Sequence, residues 1–160
     1  MLLYMSNSGH DERSTPLHSV SVAGAVVRED GRILAIKRAD NGTWEPPGGV
    51  LELAEAPEEG VRREVYEETG IKVEVERLTG VYKNTARGIV ALVFRCRPEG
   101  GQEQLSDESI AVDWLTPAEV SERMGEVYAV RILDALQEDG PQVRTHDGRQ
   151  FNRAAHGSNI

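Results

Sequence analysis

Apolar residues gather in short runs separated by turn-forming clusters. Val20 to Val27 is apolar apart from Ser21 and Gly24, and it breaks at Glu29-Asp30-Gly31. Ile33-Leu34-Ala35-Ile36 follows at once, so two strands joined as a hairpin are predicted. Asp40 to Gly49 reads as loop, with Asn41-Gly42, Pro46-Pro47 and Gly48-Gly49. Pro57 to Thr69 reads as a helix about 20 Å long. Pro57 suits its first turn, Glu58 and Glu59 suit the positive end of its dipole, and Gly70 suits its stop. Ile71–Val75, Leu78–Tyr82, Gly88–Cys96 and Ala111–Leu115 are further strand candidates. Ile89 to Phe94 is so evenly apolar that both its faces should be covered, and Trp114 is expected in the core. Pro98 to Asp107 reads as loop. Thr116-Pro117-Ala118-Glu119 marks a helix start, and a last helix is expected over about Val127–Glu138, its apolar stripe made by Val130, Leu133 and Leu136. Strands and helices alternate without an internal repeat, which predicts one layered α/β domain over residues 18–139. Residues 1–17 are polar and irregular, and 140–160 carry little apolar material; both are expected to be flexible.

Composition narrows the function classes. The 160 residues carry 18 basic and 27 acidic side chains, a net charge of −9, which argues against a protein that coats nucleic acid. No apolar run approaches the roughly 20 residues of a membrane span. The single cysteine, Cys96, cannot form an internal disulfide, and a cytoplasmic location is the expectation. The acidity is concentrated: between Gly49 and Ile71 there are seven Glu and two Arg.

That concentration has a pattern. Glu64, Glu67 and Glu68 stand at i, i+3 and i+4, so a helix places them on one face. Carboxylates crowded in this way repel at about 4 kcal/mol per pair at 4 Å and an effective dielectric of 20, unless a cation joins them. Oxygen ligands of this type favour Mg²⁺, Mn²⁺ or Ca²⁺ over Zn²⁺. Arg63, eight residues after Glu55, is placed to tie the preceding loop to the helix. Gly48-Gly49 allows a close backbone approach to a ligand.

The stretch Gly49-x5-Glu55-x7-Arg63-Glu64-Val65-x-Glu67-Glu68-x-Gly70-Ile71 resembles the Nudix box of the Nudix hydrolase superfamily, with every constrained position filled. Seven positions demand one residue type each, so chance agreement at a given start is on the order of one in 10⁸. The resemblance implies an α/β/α sandwich around a mixed β-sheet. It implies Mg²⁺- or Mn²⁺-dependent hydrolysis of a nucleoside diphosphate linked to another moiety, a small-molecule substrate, and it admits a homodimer. Glu67 and Glu68 match the principal metal ligands, Glu64 a further ligand or the general base, and Gly48 the residue whose carbonyl reaches the metal. Glu55 and Arg63 match the pair that orients the helix. Asp107 and Glu108 are candidates for a further carboxylate supplied from beyond the box, with Glu108 preferred, and Arg38 resembles a basic residue that meets substrate phosphate. Departures lie nearby: Ala54 and Ala56 replace the Gly and the helix-capping Ser or Thr that are frequent in the family, and Gly60 sits inside the helix. Markers of particular subfamilies are missing. Ala86-Arg87 stand where ADP-ribose hydrolases often carry Pro, and Gly88-Ile89 where dinucleoside polyphosphate hydrolases often carry Tyr. A nucleoside-triphosphate or nucleotide-sugar hydrolase is therefore the expectation, with a catalytically silent nucleotide sensor of the same fold as the alternative.

Overall fold

A computed structural model describes residues 14–152. Strand β1 (Ser19–Val26) lies inside a five-stranded mixed sheet with β4 (Gly48–Val50), β5 (Ile71–Asn84), β6 (Ile89–Gly101) and β8 (Gln142–His146), in the order β4-β1-β6-β5-β8. A second, antiparallel sheet has the order β3-β2-β7, from β3 (Trp44–Glu45), β2 (Ile33–Arg38) and β7 (Ser109–Leu115). Helices α1 (Pro57–Thr69), α2 (Pro117–Arg123) and α3 (Glu126–Ala135) complete the chain. The expected α/β fold with a mixed sheet is the fold found.

The near-continuous apolar run of β1 follows from its place between two helical layers. Side chains alternate across a strand. Val22 and Val26 pack in a cluster with Val61 and Val65 of α1. Ala23 and Ala25 pack in a second cluster with Ala129, Ile132 and Ala135 of α3. Gly24 lets α1 approach closely, since a Cβ there would lie 2.9 Å from Val65 Cγ2. Gly60 has a similar reason: its Cβ would meet Leu51 at 2.7 Å and Glu55 Oε1 at 3.1 Å. The helical penalty of glycine is the cost of seating α1 on its loop.

Several expectations are corrected. The Asp30-Gly31 turn forms, with Gly31 at φ +87°, but the two strands it joins share only the Val27–Ile33 bridge. They diverge because each has other partners: β1 takes β4 and β6, and β2 takes β3 and β7. The two strands expected within 71–82 are one, β5, whose register shifts at Lys72/Val73, Val75/Arg77 and Leu78/Gly80 absorb the break in alternation. The loop expected at 98–107 begins later, since β6 runs on to Gly101, and short strands β3 and β4 lie in the loop expected over 40–49. The last helix ends at Ala135, and its buried side is Val127, Ala129, Arg131, Ile132, Asp134 and Ala135, with Val130, Leu133 and Leu136 half-buried. Trp114 is half-buried rather than central; its indole N–H donates to Glu103 at 2.7 Å and Arg28 lies over its ring.

The largest correction concerns the C-terminal tail expected over 140–160. Residues 142–146 form β8, parallel to β5 in the register Gly80–Gln142 to Asn84–His146. Apolar burial does not drive this, as Val143 is 77% exposed. Polar anchors do: Arg144 pairs Asp134 through two 2.8 Å hydrogen bonds, and buried His146 accepts the Gly148 N–H at 2.9 Å. Residues 1–13 of the expected N-terminal arm and 153–160 lie outside the described residues.

Candidate active site

The loop before α1 is held by one arginine. Glu55 accepts the Glu52 N–H at 2.9 Å and two hydrogen bonds from Arg63, at 3.0 Å from Nε and 2.6 Å from Nη2. Arg63 Nη2 also donates to the Val50 carbonyl at 3.3 Å, so the guanidinium ties β4, loop and helix together. The Arg63 guanidinium, helped by the Glu52 N–H, holds the Glu55 carboxyl at about 2. Ala56 offers no side-chain cap, and Glu59 compensates by accepting the Ala56 N–H at 2.9 Å. Gly70, at φ +78°, returns its N–H to the Tyr66 carbonyl and ends the helix. The Glu55–Arg63 pairing read from spacing is therefore present.

With the loop fixed, β4 runs beside the acidic face of α1. The Gly48 N–H donates to Glu68 Oε1 at 2.9 Å. A Cβ on Gly49 would lie 2.5 Å from Glu64 Oε2, and one on Gly48 would strike the β1 backbone, so both glycines are needed for this approach. A cleft of about 450 Å³ opens here, lined by Arg38, Gly48, Gly49, Val50, Glu64, Glu67, Glu68, Ser106, Asp107 and Glu108. The four glutamates and the arginine read from the sequence thus meet at one place. Glu55 and Arg63 stand behind them as their support.

Electrostatics mark the cleft. Glu68 is 6% exposed, and burial, reinforced by the charges of Glu64 and Glu108, pushes its carboxyl up to about 7 against the pull of the Gly48 N–H. Burial also raises Glu64, which accepts from Arg63 Nη1 at 2.9 Å. Arg63 Nη1 reaches Glu67 Oε1 at 3.3 Å. As they stand, the carboxylates are held by Arg63 and Gly48, and among the described residues no three His, Cys, Asp or Glu side chains are gathered around one point. The available donors are nevertheless all oxygen, crowded and anionic, and so fit a hard divalent cation. Arg38 makes a two-pronged pair with Asp40, at 2.9 and 2.7 Å, on the cleft wall.

Comparison with known proteins decides the family. The family model described as NUDIX domain matches residues 17–136. The chain belongs to the Nudix family. A MutT-like protein of Streptomyces ambofaciens is 74% identical over 151 residues, 94% of this chain and 97% of that protein. An ADP-ribose pyrophosphatase of Methanocaldococcus jannaschii is 35% identical over 100 residues, 58% of this chain and 59% of that protein. A Nudix hydrolase from Nitrosomonas europaea, 22% identical, superposes with a TM-score of 0.71 over 82% of this chain and 81% of its own, a likeness of fold. The expected class, a Nudix pyrophosphohydrolase acting on nucleotide-linked substrates, stands with this membership. No helix among the described residues is long and apolar enough to cross a membrane.

Sequence reasoning missed part of the surroundings. Glu45 of β3, Tyr128 and Arg131 of α3 line a hollow that adjoins the cleft. No local spacing signals them, because the fold brings them together from elements far apart in the chain. His146, expected in a tail, is 1% exposed and lies 3.4 Å from Arg131 Nη2.

Proposed function

We propose that this chain hydrolyses a pyrophosphate bond in a nucleoside diphosphate linked to a further group, with Mg²⁺ or Mn²⁺ held by the carboxylates of Glu64, Glu67 and Glu68 and the carbonyl of Gly48. The observation that carries the reading is the convergence of four glutamates on one cleft, where the buried Glu68 carboxyl is raised to about 7. Such crowding costs stability unless positive charge offsets it. When bound, the cation would offset the charge of the diphosphate oxygens and polarise the bond to be cleaved.

The protein side of the mechanism follows from positions on the cleft wall. Arg63 turns the helix carboxylates toward β4 and keeps them in register with the Gly48-Gly49 backbone. Arg38, which also lines the cleft, offers a guanidinium to a phosphate oxygen in exchange for Asp40. Water attack needs a base near the scissile bond. Glu108 supports that role better than Glu64, because Glu64 is engaged by Arg63 while Glu108 forms no ion pair among the described residues.

A panel of nucleoside triphosphates, nucleotide sugars and ADP-ribose, assayed for release of phosphorylated product with and without Mg²⁺ or Mn²⁺, tests the reading. Cation-dependent cleavage of at least one class is expected. No cleavage of any compound would reject it in favour of the nucleotide sensor. Glu108→Gln should lose more turnover than Glu64→Gln at saturating cation; the reverse order would move the base to Glu64.

A further inference from the structure

A second hollow of about 200 Å³ adjoins the acidic cleft, with Arg38, Gly48, Gly49 and Val50 lining both. It is smaller than the roughly 300–1,000 Å³ of pockets that enclose a drug-sized ligand, so it suits one ring system of a longer substrate. Glu45, Tyr128 and Arg131 line this hollow and not the cleft.

Arg131 is unusual. It is 9% exposed, and its Nε is buried with no hydrogen-bond partner. Its guanidinium is clamped between the rings of Tyr82, at 5.2 Å, and Tyr128, at 5.1 Å. Its polar contact is Nη2 with His146 Nε2 at 3.4 Å. Among the described residues no carboxylate pairs with it, although a buried cation ordinarily requires one. Glu45 faces the same hollow with its side chain 14% exposed. It accepts a long 3.4 Å hydrogen bond from the Thr43 hydroxyl and lies 3.9 Å from Arg38 Nη1. Glu45 and Arg131 both line the hollow and form no ion pair with each other. Two incompletely satisfied opposite charges thus line one hollow large enough for a ring system.

We propose that Arg131 and Glu45 form a base-reading subsite that selects a guanine-type purine, an inference that rests on the pyrophosphohydrolase reading of the adjoining cleft. The clamped guanidinium is a flat fork of donors, which suits two neighbouring acceptors. The carboxylate suits two neighbouring donors. Guanine offers both: O6 and N7 on one edge, and the ring N1–H with the exocyclic amino group on another. Adenine places an amino donor where guanine has O6, so the guanidinium would face an N–H and the carboxylate an acceptor nitrogen. From a base seated there, the phosphates run past Arg38 and the Gly48-Gly49 backbone into the acidic cleft.

Calorimetric titration with guanosine and adenosine tests the subsite apart from the cleft, because nucleosides carry no phosphate and need no cation. Guanosine should bind at least about tenfold more tightly than adenosine, the scale of one bidentate base contact. Glu45→Gln and Arg131→Lys should each bring that ratio near one, with thermal melts verifying that the variants fold. Should Arg131→Lys fail to fold, Glu45→Gln decides alone. In turnover, GTP should be preferred over ATP mainly through KM, and Glu45→Gln should erase the preference. Equal binding of the two nucleosides, no binding of either, or a guanosine preference that survives Glu45→Gln would overturn the proposal. Hydrolysis of nucleotides without base preference would reject the subsite and leave the proposed activity standing. Selective guanosine binding without hydrolysis of any nucleotide would do the opposite.

Discussion

Replacing Glu68 by Gln removes one buried negative charge and keeps the shape that accepts the Gly48 N–H at 2.9 Å. The carboxyl, raised from 4.5 to about 7, keeps a proton in the folded chain over a range where the unfolded chain has released it. Stability therefore falls as pH rises through that window, and the loss is complete above about 7. A shift from 4.5 to about 7, at about 1.36 kcal/mol per pKa unit, corresponds to about 3 kcal/mol. With divalent cations chelated, Glu68→Gln should therefore be more stable than the parent at pH 8 by up to about 3 kcal/mol, and close to it near pH 4.5. Urea unfolding at the two pH values reads the difference directly. Added Mg²⁺ should stabilise the parent at pH 8 and leave the variant nearly unmoved, while the variant loses most turnover. A variant less stable than the parent at pH 8 in chelator would refute the reasoning, since Glu68 would then be a satisfied structural charge. Near-parental turnover would refute its assignment to the site.

Other consequences are as concrete. Arg63→Lys keeps the charge but not the fork that holds Glu55, Glu64 and the Val50 carbonyl, so turnover should fall by tenfold or more with a lowered melting temperature. Carbon-13 NMR should find the Glu55 carboxyl titrating near 2, so its contribution to stability is present above its ordinary range and is lost as pH falls through about 2; Arg63→Gln should return that titration toward the ordinary value. Gly49→Ala puts a methyl group against the Glu64 carboxylate, and steady-state kinetics should register lost turnover in a chain that circular dichroism finds folded. Tyr82→Phe removes the 2.7 Å hydrogen bond to buried Asp134, which keeps its pair with Arg144, so chemical unfolding should report a loss of about 1 kcal/mol.

What could be read in the sequence divides by the range of the interactions involved. Helix α1 was legible to the residue because Pro57, the acidic first turn and Gly70 act within one turn of the helix ends. The acidic face was legible because i, i+3, i+4 spacing fixes a face whatever surrounds it. Strand β8 was not, since Arg144 and His146 anchor it through partners on α3 and a neighbouring loop rather than through apolar alternation. The partition of β1 and β2 into separate sheets was hidden too, because a turn signal specifies the reversal and not what each strand pairs with afterwards. Arg131 and Glu45 belong to the same class: one sits on α3, the other on β3, and only the packed fold brings them to one hollow.

The central claim is that the carboxylates of α1 form a divalent cation site that serves pyrophosphate hydrolysis. Titration of Mn²⁺ followed by electron paramagnetic resonance tests it most directly, comparing the parent chain with Glu67→Gln and Glu68→Gln. The free Mn²⁺ signal should be depleted by the parent and far less by either variant, with Mn²⁺-dependent cleavage lost in parallel. Depletion of equal strength by all three proteins, or by none, would contradict it.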